Sequence, residues 1–253
     1  MKFFLIFTSV CFIKLYAAGA DGKNLGSLYT QLSYSPIVTK NYFDADGQAI
    51  KEDSEYSRHT IEFYGEVGIY KNHSALVWNI PIISHKNPSS SALGIGSSYI
   101  GLQTQFLASV VNLGFGLGGH FSSPQDSSEL AFSQNNSYYQ ISHYLGYHQV
   151  KMNLHYLFDQ TDQAFAYDFL YQFHPYPNLY VTTVVRGQKK ISNLTKNNLL
   201  GYGMNTEYIA PGVEVFYSLN KNWHTVAALY TGTLMKNIYA FPGIKIGIAY
   251  SID

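Results

Sequence analysis

Segments in which every second side chain is apolar or aromatic recur about a dozen times between Gly26 and Asp253. In one of them, Phe165 and Tyr167 flank Ala166, and the same alternation continues beyond them. Because successive side chains of a β-strand point to opposite faces, each such segment places its apolar side chains on one surface of a sheet. The segments end at glycine, asparagine or proline, which favour turns. The pattern therefore predicts an all-β protein.

The spacing of these segments predicts about twelve strands connected as consecutive hairpins. We expect the strands near residues 26–35, 57–70, 73–83, 94–107, 108–120, 136–148, 149–159, 164–174, 177–187, 207–219, 222–233 and 240–252. Short turns alternate with longer polar links, which we expect at 36–56, 84–93, 121–135, 160–163, 188–206 and 234–239. An even strand number, short periplasmic turns and longer external loops are typical of bacterial outer-membrane barrels. We therefore predict a transmembrane antiparallel up-and-down β-barrel.

The first twenty residues differ in character from the rest of the chain. Lys2 precedes an apolar stretch, and Ala18 and Ala20 then supply the small residues that a signal peptidase accepts. The stretch is interrupted by Lys14 and is shorter than the roughly 20 apolar residues that a membrane-spanning helix needs. We interpret residues 1–20 as a signal peptide and 21–253 as the barrel domain. Cys11, the single cysteine, lies in the signal peptide, which excludes disulfides and a cysteine nucleophile from the mature chain.

Composition helps to decide which face of the predicted barrel is outside, because soluble barrels and sandwiches turn their apolar face inward. Charged residues make up 13% of the chain, about half the usual share of roughly 25%. Aromatic residues occupy strand ends, as in the girdles of membrane barrels: Tyr70, Tyr147, Tyr176, Trp223 and Tyr250. We favour a barrel in contact with lipid in the cell outer membrane. The alternative is a periplasmic or secreted β-sandwich or lipocalin-like barrel.

Several classes of site find no support in the sequence. The chain has 16 basic and 16 acidic residues without a basic patch, so we expect no nucleic-acid binding. The histidines form no close pair at metal-ligand spacing, and we predict neither a metal nor a cofactor. Gly114, Gly116 and Gly118 open no helix of a βαβ unit, which a dinucleotide motif requires. We expect these glycines to permit curvature or to leave room for a folded-in loop.

The candidate site consists of charged residues whose position in the alternation turns them towards the lumen. They are Glu62, Glu66, Lys151, Asp168, Arg186, Glu214 and Lys245. Two interpretations stay open, because such charges either line a pore or join its walls in a salt-bridge network. Asp168, Arg186 and Glu214 come from three consecutive predicted strands, so a cross-strand network can form if their heights agree.

His120 and Ser122 suggest an enzymatic interpretation, because a histidine two residues from a serine on a strand can activate its hydroxyl. The alternation of Leu113, Phe115 and Leu117 sets the odd positions outward. His120 and Ser122 then face the lumen or the external rim, away from a lipid substrate. We therefore predict that the protein is not an enzyme, with an outer-membrane esterase or phospholipase as the less favoured alternative.

Four short stretches in the first part of the chain carry a family resemblance. They are residues 26–34, 42–47, 62–69 and 80–81, and with them the chain resembles the XagA-like and phenol-pathway-type outer-membrane proteins of proteobacteria. The likeness covers the N-terminal third and, beyond it, only the general rhythm of a barrel. It implies a porin- or transporter-like barrel, with no catalytic residues to carry over. The chain departs from the usual pattern in ending at Asp253 rather than at an aromatic residue.

From these observations we expect small solutes to cross the outer membrane by diffusion through a polar lumen. The inward carboxylates outnumber the inward cations in the candidate site, so we expect a weak preference for cations. The second possibility is a non-conducting structural or adhesion barrel that acts through its external loops. The solute and the oligomeric state are left open by the sequence.

Overall fold

The computed structural model describes residues 24–70, 73–86, 91–108, 111–121, 137–160, 162–191, 206–240 and 242–252. Fifteen strands lie in this part of the chain. They are β1 (Leu28–Phe43), β2 (Ala49–Tyr70), β3 (Ser74–Lys86), β4 (Ser91–Ile95), β5 (Ser98–Ala108), β6 (Val111–Phe121), β7 (Ser137–Tyr147), β8 (Val150–Phe158), β9 (Gln163–Tyr176), β10 (Leu179–Lys190), β11 (Glu207–Ser218), β12 (Trp223–Thr231), β13 (Thr233–Lys236), β14 (Ile238–Tyr239) and β15 (Pro242–Ile252). Within these ranges there is no helix of the length and apolar character needed to span a membrane. The predicted signal peptide, residues 1–20, lies outside them and stays a prediction.

Twelve of the strands form a closed antiparallel barrel, which confirms the predicted fold class. The order around the wall is β1, β2, β3, β5, β6, β7, β8, β9, β10, β11, β12, β15 and again β1. Each strand therefore pairs with its neighbours along the chain. Pairing of β1 with β15 closes the ring, from Leu28 opposite Ile252 to Tyr34 opposite Ile246. A closed ring satisfies every strand edge, which a bilayer demands because it offers the backbone no water.

The three remaining strands extend the wall at its outer rim. β4 continues the line of β5 beyond a break at Gly96, whose N–H donates to the Pro81 carbonyl at 2.8 Å. The single strand expected at 94–107 is therefore two strands. β13 continues β12 along β11, and β14 pairs with the end of β1, so the expected external link at 234–239 is itself strand.

The first hairpin is longer than the sequence indicates, and the prediction of a loop at 36–56 is wrong over most of that range. β1 and β2 stay paired up to Phe43 and Ala49. Asp44 closes the turn, because its carboxylate accepts hydrogen bonds from the N–H groups of Asp46 and Gln48 at 3.0 and 2.8 Å. The composition of this segment is polar, but cross-strand pairing and an apolar cluster keep it in the sheet. The link predicted at 121–135 lies outside the described residues apart from Phe121. The link predicted at 188–206 is wrong at 188–190, which belong to β10, and residues 192–205 lie outside the described part.

The apolar set of side chains covers the outside of the barrel. Leu32, Ile61, Phe106 and Leu117 are exposed there, whereas their sequence neighbours point into the barrel. Near the periplasmic turns the Trp223 and Tyr250 rings are in contact, with centroids 4.8 Å apart. Aromatic side chains at this level are typical of the membrane–water interface. The exposed apolar wall fits hydrocarbon and contradicts the soluble alternative.

Candidate functional site in the barrel lumen

The structure places all seven candidate residues on the inner face of the barrel wall. Glu62 and Glu66 lie on β2, Lys151 on β8 and Lys245 on β15. Asp168, Arg186 and Glu214 lie on β9, β10 and β11. The alternation of inward and outward side chains therefore assigned the correct face. The structure also shows which of these side chains contact one another.

Arg186 joins the carboxylates of the two neighbouring strands. Its Nη2 donates to Glu214 Oε1 at 2.6 Å, and its Nε lies 3.2 Å from Asp168 Oδ1. Arg186 stands directly opposite Asp168 in the β9–β10 register, so their heights agree as a network requires. On the next strand, Tyr230 donates its hydroxyl hydrogen to Glu214 and holds its ring 4.9 Å below the guanidinium carbon. Four consecutive strands are thereby joined across the lumenal surface.

Polar contacts continue from Asp168 around the wall in the other direction. His155 Nε2 lies 3.8 Å from Asp168 Oδ2, and His155 Nδ1 lies 2.8 Å from Ser142 Oγ. Gln140 donates to Ser142 Oγ at 2.9 Å and contacts His120 Nε2 through its Oε1 at 2.9 Å. The connected side chains thus run without interruption from β6 to β12.

A second ion pair joins β15 and β2, the two strands that flank β1. Lys245 Nζ lies 2.6 Å from Glu62 Oε2, although β1 stands between their strands. Ser33 on β1 donates to the same carboxylate oxygen at 3.4 Å. We use "charged belt" for the residues of the two ion-paired groups and their histidine neighbour, which are Glu62, His155, Asp168, Arg186, Glu214 and Lys245.

The charged belt lies within the strands and stays in contact with water. Its side chains are 18 to 36% exposed, with Arg186 the most exposed. β10 continues past Arg186 to Lys190, whereas the predicted strand ends at 187, so Arg186 lies within the strand and not at the outer rim. Leu170 and Val184, which also face inward, are buried. Among the described residues of the inner face, the charged side chains are therefore partly exposed to water, whereas neighbouring apolar side chains are closely packed.

Two of the candidates do not join the belt. The Glu66 carboxylate accepts a hydrogen bond from the Tyr64 hydroxyl and is buried, and Lys151 is buried near the start of β8. Arg58, which the candidate set omitted, also faces inward on β2 and donates to Thr60 Oγ1 at 3.2 Å. Its position has the parity of Glu62, so the alternation could have revealed it. With Arg58 the inward cations equal in number the inward carboxylates of the candidate set, and the cation preference stays a prediction.

Glycines and tyrosines line another part of the inner wall, which we call the glycine–tyrosine wall. It consists of Tyr99 and Gly101 on β5, Gly114, Gly116 and Gly118 on β6, and Tyr144 on β7. A Cβ at either Gly101 or Gly118 would overlap the Tyr99 ring. At Gly114 and Gly116 it would lie 3.1 and 3.2 Å from Tyr144. The glycines therefore seat tyrosine rings, whereas the sequence suggested curvature or room for a loop.

The chain of contacts from Ser142 through His155 to Asp168 contains the residue types of a catalytic triad, but the serine is not accessible and the aspartate has another partner. The Ser142 side chain is 0% exposed, so no substrate reaches its hydroxyl. Asp168 is shared with Arg186. His120, the other candidate base, stacks on Tyr138 with ring centroids 3.9 Å apart, and Ser122 lies outside the described residues. Within the ranges that the structure covers, no group of acidic, histidine or cysteine side chains could hold a metal ion.

No sequence-family profile and no curated protein sequence matches the chain. The fold, by contrast, is similar to solved structures. The COG4313 outer membrane channel from Pseudomonas putida F1 has a TM-score of 0.69 at 8% identity, over 94% of this chain and 99% of that one. The NanC porin has a TM-score of 0.52 at 8% identity, over 89% of this chain and 99% of that one.

At such low identity the likeness shows the fold alone. The closed barrel with its apolar exterior is an outer-membrane β-barrel, and the prediction of its location is confirmed. The sequence resemblance to the XagA-like and phenol-pathway-type proteins stays a prediction.

Proposed function

We propose that the barrel passes small solutes across the outer membrane by diffusion through its polar lumen. The observation that carries the proposal is the charged belt, whose side chains keep contact with water inside a closed wall. Charged residues at membrane depth are costly, and in membrane proteins they commonly mark a path for ions or substrates. The fold shared with an outer-membrane channel and a porin supports the same conclusion.

Recording from planar bilayers tests this proposal. We expect purified, refolded protein to give discrete current steps in potassium chloride, and the Arg186→Gln variant to change their size. Lys189→Gln, on the same strand but at an exposed outward position, is the matched control and should leave the steps nearly unchanged. Protein that inserts into the bilayer without current steps above background would contradict a conducting lumen.

The long first hairpin favours a second candidate function, a non-conducting barrel that binds partners outside the cell. β1 and β2 have 16 and 22 residues, whereas a strand needs about 9 to 11 to cross the bilayer. The projecting part is firmly packed, because Tyr239 stacks on Tyr56 at 3.9 Å and donates to Glu52 at 3.1 Å. Burial, with Glu52 nearby, raises the pKa of the Tyr239 hydroxyl, which therefore remains a donor.

Replacing residues 44–48 by a two-residue Asn-Gly turn distinguishes the two functions. A channel should keep its conductance after this change, whereas a barrel that acts by adhesion should lose its attachment to cells or surfaces. We assign no catalysis to the barrel. Fatty-acid release from phospholipid that disappears in Ser122→Ala would contradict that assignment.

A further inference from the structure

The ion-paired side chains of the charged belt alternate in sign along the wall. From β9 to β2, in the order of the ring, they are Asp168, Arg186, Glu214, Lys245 and Glu62. Within each pair the opposite charges are 2.6 to 3.2 Å apart. A solute that replaces water at this level therefore meets both signs at short range.

Such an arrangement discriminates poorly between simple ions. A single charge near an ion pair is attracted by one partner and repelled by the other, so the two Coulomb energies largely cancel. A solute that carries both signs can place each of them beside its opposite, and both contacts are then favourable. Electrostatic complementarity of this kind confers specificity more than affinity, which suits a solute that must also leave.

Arg186 presents part of its guanidinium to the lumen. Its Nε is buried 3.2 Å from Asp168, but 36% of the side chain is exposed. The guanidinium has five N–H donors in a planar fork that matches a carboxylate. A solute carboxylate can therefore approach the exposed part of Arg186 while an ammonium group approaches Glu214.

The opposite side of the lumen carries packed rings instead of charges. In a ring of twelve strands, β6 stands opposite β12, and the Tyr99 and Tyr144 rings lie over its inner glycines. Both rings are buried, so a solute at this level finds its charged contacts on the belt side of the lumen. Because the rings occupy part of the lumen, the passage favours a small solute over one with a large side chain.

We infer that the charged belt selects small zwitterionic solutes, such as α-amino acids with short side chains, over uncharged or singly charged solutes of similar size. The inference rests on the proposed channel function and names the class of its solute. It concerns the alternating charges of the belt, and Glu66 and Lys151 have no part in it.

Osmotic swelling of liposomes that contain the purified protein tests the inference. Serine is the zwitterionic probe, erythritol is an uncharged probe of similar size, and the sodium salt of aspartate and the chloride of lysine carry net charge. We expect serine to enter roughly twofold to fivefold faster than erythritol, the range expected for partly hydrated charge contacts. Both charged amino acids should enter more slowly than serine.

The double variant Arg186→Gln with Glu214→Gln should abolish the advantage of serine over erythritol and leave erythritol entry within about twofold. Lys189→Gln with Glu207→Gln makes the same charge change on the same two strands at positions of outward parity, and it should keep the advantage. Equal entry of serine and erythritol into liposomes with unmodified protein would overturn the inference and leave the channel standing. Absence of swelling with every solute would overturn both. The comparison between solutes on unmodified protein remains decisive even if the double variant fails to fold.

Discussion

The charged belt and the glycine–tyrosine wall lie on the same inner face of the barrel but differ in packing and in hydration. In the belt, long side chains on β9, β10, β11, β15 and β2 reach one another and neutralise one another in ion pairs. In the wall, β6 contributes glycines, and the rings of Tyr99 and Tyr144 lie over them. The belt stays partly hydrated, whereas both rings are buried.

The difference shows what each region can contribute to function. A packed ring on a glycine backbone fixes the shape of the lumen, because any added atom forces a displacement. A hydrated ion pair costs little to rearrange, because water replaces the contacts that are lost. We therefore expect substitutions in the wall to affect stability and substitutions in the belt to affect permeation.

Both regions are internal only if the apolar face of the barrel is outside, and the largest expected effect concerns that orientation. Phe169 is 47% exposed on the outer face, next to inward-facing Asp168. Phe169→Arg should cost roughly 2 to 4 kcal/mol of folding free energy, because a charge then faces hydrocarbon. Asp168→Asn, the control one residue away, should cost less. Urea unfolding in lipid vesicles, followed by tryptophan fluorescence, measures both. A greater loss from Asp168→Asn would show that the faces are inverted.

Overpacking of the wall should have the next largest effect. Gly118→Ala places a methyl group in the volume of the Tyr99 ring and should destabilise the barrel by about 1 to 3 kcal/mol. Tyr99→Ala in the same chain should recover part of the loss, since the conflict is then removed. Gly119→Ala is the matched control: its Cβ faces lipid and meets only the tip of Phe121 at 2.9 Å. Equal losses from the two glycine positions would mean that the ring does not set the shape of the wall.

The belt should show a smaller energetic coupling. In a double-mutant cycle of Arg186→Gln and Glu214→Gln, we expect an interaction of about 0.2 to 1 kcal/mol, because both side chains remain partly hydrated. The coupling should fall as salt is raised, since screening acts on hydrated charges. A coupling above about 3 kcal/mol would mean a dry, rigid belt that resembles the wall.

The smallest expected effect concerns ion preference. Glu62→Gln leaves Lys245 without its carboxylate and should move the reversal potential in a potassium chloride gradient by a few millivolts towards anions. Glu66→Gln should change it less, because Glu66 is buried against Tyr64. A larger shift from Glu66→Gln would place the permeation path along the periplasmic part of β2 instead of the belt.

The alternation of side chains was sufficient to predict most of the fold. It located the barrel strands, assigned Asp168 and Arg186 to the inside, and indicated the membrane. It failed for the first hairpin, where polar composition suggested a loop between 36 and 56. There Tyr239, far along the chain, packs on Tyr56 and stabilises strands that local composition does not favour. Contacts of that kind have no local signal.

The partners within the lumen could not be derived in the same way. Period two is a property of one strand, because it follows from backbone geometry alone, and it states only which face a side chain occupies. Whether Arg186 meets Glu214, or Lys245 reaches across β1 to Glu62, depends on the stagger between strands. That stagger is set when the ring closes, since strand number, tilt and shear must then agree around the whole circumference. The faces of the strands are therefore local properties, and the charged belt is a property of the closed barrel.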